Sequence, residues 1–211
     1  MAAIRTARAR LASGQHPRRL GITSGAPCGS RRTPTIEQIG EPLVDPPAGR
    51  AYVAWTNVIS GDASQLTIVG TRDGGSTWSH PHRLAKSSDR PMNPDVGVAS
   101  NGVVAVRFCD LREDEAGDAA LSTRSWLRVS RNGKAFGREI PLAGVFDLRA
   151  APVATGLTPG RFLGEYRGLV GLQADFAALS AQARPVAEIG ATDGSFGRVE
   201  LPAHGPPSRP R

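Results

Sequence analysis

Short runs of apolar and β-branched residues, separated by turns rich in glycine, asparagine and proline, recur along most of this chain. Residues 95–99 and 103–108 flank the sequence Ser-Asn-Gly, which is typical of a tight β-hairpin turn. The same arrangement recurs at residues 42–55 and 166–181. Because a chain with many strands needs many turns, the high glycine and proline content agrees with this pattern, and an all-β protein is predicted.

A second type of hairpin is centred on residues 71–78, Thr-Arg-Asp-Gly-Gly-Ser-Thr-Trp, between the β-rich residues 66–70 and 80–84. An ionised Asp73 in a tight turn can accept hydrogen bonds from the backbone N–H groups of that turn. The two glycines that follow it can adopt positive φ, and the tryptophan brings apolar surface to bury beside the turn. The pattern therefore predicts a strand, a side-chain-organised turn, a buried aromatic residue and a second strand.

This hairpin has two further copies. Residues 130–136 repeat it with Asn132 in place of aspartate and phenylalanine in place of tryptophan, and residues 191–196 repeat it around Asp193. The copies are about sixty residues apart, and each follows one of the simpler hairpins. Two hairpins per period make a four-stranded antiparallel blade, so three blades of a β-propeller are predicted. A β-sandwich with evenly spaced strands is the alternative.

The pattern Ser/Thr-x-Asp-x-Gly-x-Thr-Trp resembles the Asp-box of the sialidase-like (BNR-repeat) β-propellers. Residues 103–172 also resemble the C-terminal half of bacterial proteins of the exo-α-sialidase type. The distinctive segments are Phe-Cys-Asp-Leu-Arg at 108–112, Phe-Asp-Leu-Arg-Ala-Ala-Pro at 146–152 and Phe-Leu-Gly-Glu-Tyr-Arg-Gly-Leu at 162–169. The family usually has aspartate where the last segment has Glu165. The resemblance covers residues 35–201, which is about three blades.

The resemblance implies two groups of important residues. The Asp-box positions are architectural in the family, and here they are Asp73, Gly75, Trp78, Asn132 and Asp193. A sialidase also needs arginines that hold the substrate carboxylate, a tyrosine nucleophile activated by a glutamate, and an acid/base group. The candidates for substrate binding are Arg112 and Arg149, and those for catalysis are Tyr166, Glu165 and Asp110.

The candidate site residues fall in loops at one end of the predicted blades. In a four-stranded blade the turns between strands one and two and between strands three and four share one end, where the Asp-boxes lie. The remaining loops share the other end, where Arg112 and Arg149 fall. Glu165 and Tyr166 are neighbours on a predicted strand, so their side chains point to opposite faces, which argues against a direct nucleophile–base pair.

Three blades do not close a ring. Sialidase propellers have six blades, and three leave unpaired strand edges on both sides. The chain is therefore expected to be a truncated or split part of a longer protein, to pair with a second copy, or to be degenerate. The first of these is favoured, and hydrolysis by the isolated half-propeller is not expected.

The net charge of +7 comes from the N-terminal segment. Residues 1–35 contain seven arginines and no acidic residue, and the rest of the chain is formally neutral. A basic face that could hold nucleic acid is therefore not predicted on the propeller, residues 36–202. Residues 1–35 suggest a disordered leader or a transit peptide, and residues 203–211 a disordered tail. The family resemblance suggests an extracellular protein, although neither a secretory signal nor a membrane span is recognisable.

Other motifs give weaker signals. Residues 70–77 have part of the P-loop spacing but carry serine where the phosphate-binding lysine belongs. The acidic residues 110–118 lack the order of a calcium loop, and residues 80–82, His-Pro-His, have no third ligand nearby. Cys109 is expected to be a small buried residue rather than a disulfide partner of Cys28. We expect no metal and no cofactor.

The favoured function is that of a sialidase-like glycoside hydrolase, which cleaves terminal sialic acid or related acidic sugars. The family resemblance alone implies this activity, since propellers host many functions. The main alternative is a non-catalytic carbohydrate-binding or scaffold propeller. A protein-interaction module is a third possibility.

Overall fold

The chain folds into antiparallel β-sheets. The computed structural model describes residues 36–39, 43–45, 49–60, 63–154, 160–161, 163, 168–187 and 190–201. Within these ranges the helical segments are two short 3-10 turns, Ser87–Asp89 and Leu148–Ala150. The predicted all-β class is confirmed. No helix in the described ranges has the length and hydrophobicity that crossing a membrane would require.

The first sheet is a four-strand meander. It consists of β1 (Ile36–Ile39), β2 (Leu43–Asp45), β3 (Arg50–Ser60), β4 (Ala63–Thr71) and β5 (His82–Arg83). Strands β1 and β2 pair with different halves of β3, so together they form one interrupted edge strand. The order is therefore β1/β2, β3, β4, β5, with every neighbouring pair antiparallel.

The second sheet repeats this plan. It consists of β6 (Met92–Val98), β7 (Val104–Asp110), β8 (Ser122–Ser130), β9 (Ile140–Pro141) and β10 (Phe146–Asp147). Strands β9 and β10 both pair with β8 and share the outer edge. The predicted hairpin turn at residues 100–102 joins β6 to β7, and Gly102 there has φ of 80°.

The third sheet departs from the predicted blade. Strands β11 (Val153–Ala154) and β12 (Gly160–Arg161) form a separate pair, and β13 (Gly168–Gly171), β14 (Phe176–Ala187) and β15 (Gly190–Val199) form a three-stranded sheet. The predicted hairpin from β13 to β14 is present. The predicted Asp-box turn around Asp193 is wrong, because Asp193 lies within β15 and is opposite Gln182 of β14.

The absence of a third box turn has a local explanation. In the first two copies the residue two positions before the Asp or Asn is Thr71 or Ser130, and its hydroxyl hydrogen-bonds to that side chain. The corresponding residue of the third copy is Ala191, which has no hydroxyl. Without that bond the segment continues as a strand, and Arg184 on β14 forms an ion pair with Asp193.

Successive sheets pack face to face through apolar side chains. One core cluster joins residues of β3 and β4 to Val96, Val106 and Phe108 of the second sheet. A second cluster joins Ala105 and Leu127 of the second sheet to residues of β13 and β14. Because each sheet packs on the next one in chain order, the architecture is an open, partial β-propeller.

The turns of the first two sheets lie at one end, as the blade topology predicts. The Gly74 N–H donates to the Gly49 carbonyl oxygen at 2.9 Å, which joins the β2–β3 turn to the β4–β5 turn. We call the end with the β4–β5 and β8–β9 turns the box end. The opposite end, with residues 111–121 and 143–152, is called the loop end.

Gly171 provides a test of the packing between the second and third sheets. A Cβ atom at Gly171 would lie 2.0 Å from the Val98 carbonyl oxygen, whereas a Cβ atom at Gly168 of the same strand would have nothing within 4 Å. We expect Gly171→Ala to lower the free energy of unfolding by about 1–3 kcal/mol, because the backbones must separate. Gly168→Ala is the matched control, and denaturant unfolding is the measurement. Equal stabilities of the two variants would contradict this packing.

Candidate functional site

The β4–β5 turn is organised by the carboxylate of Asp73. Its Oδ1 accepts hydrogen bonds from the Thr71 hydroxyl at 2.7 Å and from the Thr77 N–H at 2.9 Å. Its Oδ2 accepts from the Thr77 hydroxyl at 2.6 Å. Gly74 and Gly75 have φ of 69° and 95°, as expected of a turn that uses the left-handed region. Trp78, in contrast, is 46% exposed and not buried as predicted.

The β8–β9 turn uses an amide for the same purpose. Oδ1 of Asn132 accepts hydrogen bonds from the N–H groups of Lys134 and Ala135, at 2.8 and 2.9 Å. The Arg72 Nη2 donates to the Asn132 carbonyl oxygen at 2.8 Å, so the two turns are also tied to each other. The two turns that share a sequence pattern are therefore also in direct contact in the structure.

The Asp73 turn should lose stability in acid. The Thr77 hydroxyl, followed by the Thr77 N–H and the Thr71 hydroxyl, lowers the pKa of Asp73 from 3.8 to about 2. A lowered pKa in the folded state stabilises the protein above the unfolded pKa, and this stabilisation is lost as the pH falls through the folded pKa. We expect the stability advantage of the wild type over Asp73→Asn to shrink between about pH 4 and about pH 2.

Unfolding curves at several pH values measure this effect. Asp118→Asn, a change at an exposed carboxylate, provides the comparison. A difference between wild type and Asp73→Asn that stays constant from neutral to acid pH would contradict the role of the ionised carboxylate.

At the loop end, the predicted catalytic residue Asp110 is enclosed. It ends β7, is 1% exposed, and its Oδ1 accepts a hydrogen bond from Trp126 Nε1 at 2.8 Å. Its Oδ2 accepts from Arg112 Nε at 2.7 Å and also from Arg112 Nη2. The Arg112 guanidinium lies over the Trp126 ring, 4.3 Å from its centroid. Asp110 thus links a loop arginine to an aromatic residue on the neighbouring strand.

Burial and hydrogen bonding shift the pKa of the Asp110 carboxyl group in opposite directions. Burial raises the pKa of Asp110, against the lowering by Arg112 and Trp126. For Arg112, burial lowers the pKa, but Asp110 outweighs it and the net shift is upward. Two guanidinium nitrogens on one carboxyl oxygen, with an indole donor on the other, is the geometry of an ionised pair. This group holds the loop in place, and its oxygens are not exposed to a substrate.

Most other charges at the loop end are paired with each other. Arg90 forms an ion pair with Asp114 at 2.7 Å, and Arg124 forms one with Glu113 at 3.0 Å. Arg112 also lies 3.9 Å from Asp89, which precedes the second sheet. These contacts position the loops more than they create a binding surface. Within the described ranges, no three His, Cys, Asp or Glu side chains converge as a metal site would require.

Arg149 and Arg161 are different from the other loop-end arginines. Arg149 Nη1 donates to the Asp118 carbonyl oxygen at 2.8 Å and also to that of Ala119. Arg161 Nη1 donates to the Ala151 carbonyl oxygen at 2.9 Å. Both side chains are exposed, and no carboxylate among the described residues forms an ion pair with either one.

Of the predicted site residues, the structure brings Asp110 and Arg112 into direct contact at the loop end. Arg149 and Arg112 are both at the loop end, but Arg112 is engaged by Asp110. Glu165 and Tyr166 lie outside the described residues, so their roles stay predictions. Arg161 was not singled out from the sequence, since only the Ala151 contact distinguishes it from an ordinary surface arginine. Cys109 is buried and unpaired, as predicted, and lies 3.2 Å from the Ser125 hydroxyl.

Comparisons with known proteins give a distant likeness in structure but none in sequence. No family model matches the chain, and no curated protein matches it in sequence. Among solved structures, an endo-arabinase from Bacteroides thetaiotaomicron VPI-5482 is similar, with a TM-score of 0.41 and 14% identity. The likeness covers 78% of this chain and 55% of the endo-arabinase chain. The chain therefore spans about half the length of that structure.

Removal of Asp110 should destabilise the second sheet. Asp110→Ala leaves the Arg112 guanidinium and the Trp126 N–H without their acceptor, and we expect a loss of about 3 kcal/mol in the free energy of unfolding. Asp118→Ala, which changes an exposed aspartate of the same loop, should cost less than about 0.5 kcal/mol. Thermal and denaturant unfolding of both variants test this. Similar losses in the two variants would show that the buried pair is unimportant.

Proposed function

We propose that this chain recognises a terminal sialic acid or a related acidic sugar at its loop end, in the manner of a sialidase-like glycoside hydrolase. The support comes from the two Asp-box turns, the blade-like sheets and the distribution of charge at the loop end. The sugar carboxylate is the group that the site would hold, because planar guanidinium groups bind carboxylates through paired hydrogen bonds.

The observation that carries the proposal is the pair Arg149 and Arg161. Each guanidinium is fixed by a backbone carbonyl through Nη1, which leaves its other nitrogens available to an anion. The Arg161 guanidinium is held at Ala151, two residues after Arg149, so both arginines belong to the same part of the loop end. A side chain that is already fixed before binding loses less conformational entropy when the ligand binds.

Binding without hydrolysis is favoured over hydrolysis by a second observation. Asp110 was a candidate acid/base, but its carboxyl is 1% exposed and engaged by Arg112 and Trp126. A proton donor must come within hydrogen-bond reach of the leaving oxygen. Hydrolysis is the second candidate function. It depends on Tyr166 as the nucleophile and on a base other than a directly paired Glu165, because neighbours on a strand point to opposite faces.

The two functions are tested by separate measurements on the same protein. We expect N-acetylneuraminic acid to bind in isothermal titration calorimetry, and Arg149→Ala and Arg161→Ala to weaken binding by about tenfold or more, because each removes charged hydrogen bonds. A fluorogenic sialoside reports turnover, which we do not expect.

Arg138→Ala is the matched control, since Arg138 is exposed but follows the β8–β9 turn at the box end. Equal affinities for wild type, Arg149→Ala and Arg161→Ala would remove the loop-end site. Turnover that survives Asp110→Asn but is lost in Tyr166→Phe would establish hydrolysis as the function.

A further inference from the structure

A cavity of about 240 Å³ lies at the box end, between the Asp73 and Asn132 turns. Its wall is built from both sheets and includes Tyr52, Arg72, Trp78, Ser79, Asn132 and Lys134. Ligand sites for drug-sized molecules are usually larger than about 300 Å³, so the volume suits one small ring better than an extended chain. This cavity is at the opposite end of the sheets from Arg149 and Arg161.

Trp78 gives the cavity an apolar wall. Its ring passes along Gly75, where a Cβ atom would be 3.9 Å from the indole, and 46% of the residue stays exposed. The aromatic residue of the second box, Phe136, is by contrast half-buried and stacks with His82 at a centroid distance of 6.1 Å. Trp78 therefore exposes a flat apolar surface that the equivalent position does not.

The floor of the cavity is formed by Tyr52. Its ring is 4% exposed and packs against glycines of both sheets, since a Cβ atom at Gly70 would lie 2.7 Å from Cε1 and one at Gly133 would lie 2.6 Å from the hydroxyl. In the part of the chain that the structure describes, no group hydrogen-bonds to this hydroxyl. Tyr52 therefore brings a hydroxyl without an internal partner among the described residues to the lining of the cavity.

The rim carries positive charge. Arg72 is fixed through Nη2 by the Asn132 carbonyl oxygen, and Lys134 is exposed. No carboxylate of the described residues forms an ion pair with either side chain. The nearby Asp73 carboxylate is occupied by its own turn, where Thr71 and Thr77 donate to it. The rim therefore has two cations for which the turn provides no counter-ion.

We propose that this cavity binds a single pyranose ring that carries a carboxylate, a sugar of the uronic acid class. One face of a pyranose is lined by C–H groups, which suit the Trp78 surface, while its edge carries hydroxyls, which suit Tyr52 and Ser79. The carboxylate is placed at Lys134 and Arg72. Because the site uses none of the loop-end residues, it does not depend on the proposed function.

The indole Nε1–H signal of Trp78 in a ¹H–¹⁵N spectrum reports on this cavity alone. The chain has three tryptophans, and a Trp78→Phe spectrum identifies the signal by its loss. We expect glucuronic acid to shift the signal until the site is saturated. Glucose should bind at least about threefold more weakly, because it lacks the carboxylate that forms a partly exposed ion pair. Lys134→Gln and Arg72→Gln should each weaken the glucuronic acid affinity by about threefold or more.

Lys86→Gln makes the same change of charge at an exposed lysine outside the cavity and should leave the titration unchanged. Arg149→Ala should also leave it unchanged, which separates this site from the loop end. The proposal is overturned if glucuronic acid does not move the Trp78 signal, if glucose binds equally well, or if Lys134→Gln and Lys86→Gln behave alike. These substitutions change exposed side chains, and far-UV circular dichroism checks that each variant is folded.

Discussion

The apolar side chains on the face of a single sheet cannot be buried by that sheet alone. The structure therefore depends on the packing of each sheet against its neighbour. The first cluster buries Leu66 and Ile68 of the first sheet completely or nearly so, against Val106 and Phe108 of the second. At this scale burial of apolar side chains is the dominant stabilising contribution. A polar contact also crosses between the second and third sheets, where buried Arg107 donates from Nε to the Ser180 hydroxyl at 2.7 Å.

This packing explains why the two ends of the sheets differ in character. At the box end, the side chains of Asp73 and Asn132 accept hydrogen bonds from the backbone N–H groups of their own turns. At the loop end the connections are longer and are held by ion pairs and by the Asp110–Arg112–Trp126 group. The two proposed ligand sites lie where that internal pairing stops: at Arg149 and Arg161 on one end, and beside Trp78 on the other.

Sequence patterns predicted the features that depend on local chemistry. The Ser-Asn-Gly turn and the first two box turns are specified by residues within a few positions of each other, and they form as expected. The third box failed for an equally local reason, because Ala191 cannot provide the hydroxyl that Thr71 and Ser130 provide. The segment instead extends the β14–β15 ribbon.

Features that depend on distant parts of the chain were not predictable in this way. Arg112 looked available, but Trp126 comes from the next strand and Asp110 is buried only because the sheets pack. The sequence predicts a buried Trp78, yet Tyr52 is the aromatic residue that packs against Gly70 of this hairpin, and the indole is 46% exposed. The guanidinium of Arg161 is held by a carbonyl oxygen ten residues away in sequence, a contact that no local pattern indicates.

The most direct test of this account is a contact between the first two sheets. The Tyr52 ring and Gly133 come from different sheets and meet below the two box turns. Because the chain has two tyrosines, the ring protons of Tyr52 can be assigned with a Tyr166→Phe variant. Packing of successive sheets predicts a strong nuclear Overhauser effect between the Tyr52 ring protons and the Gly133 α-protons. If this signal is absent from a folded sample with assigned resonances, the two sheets do not pack as successive blades.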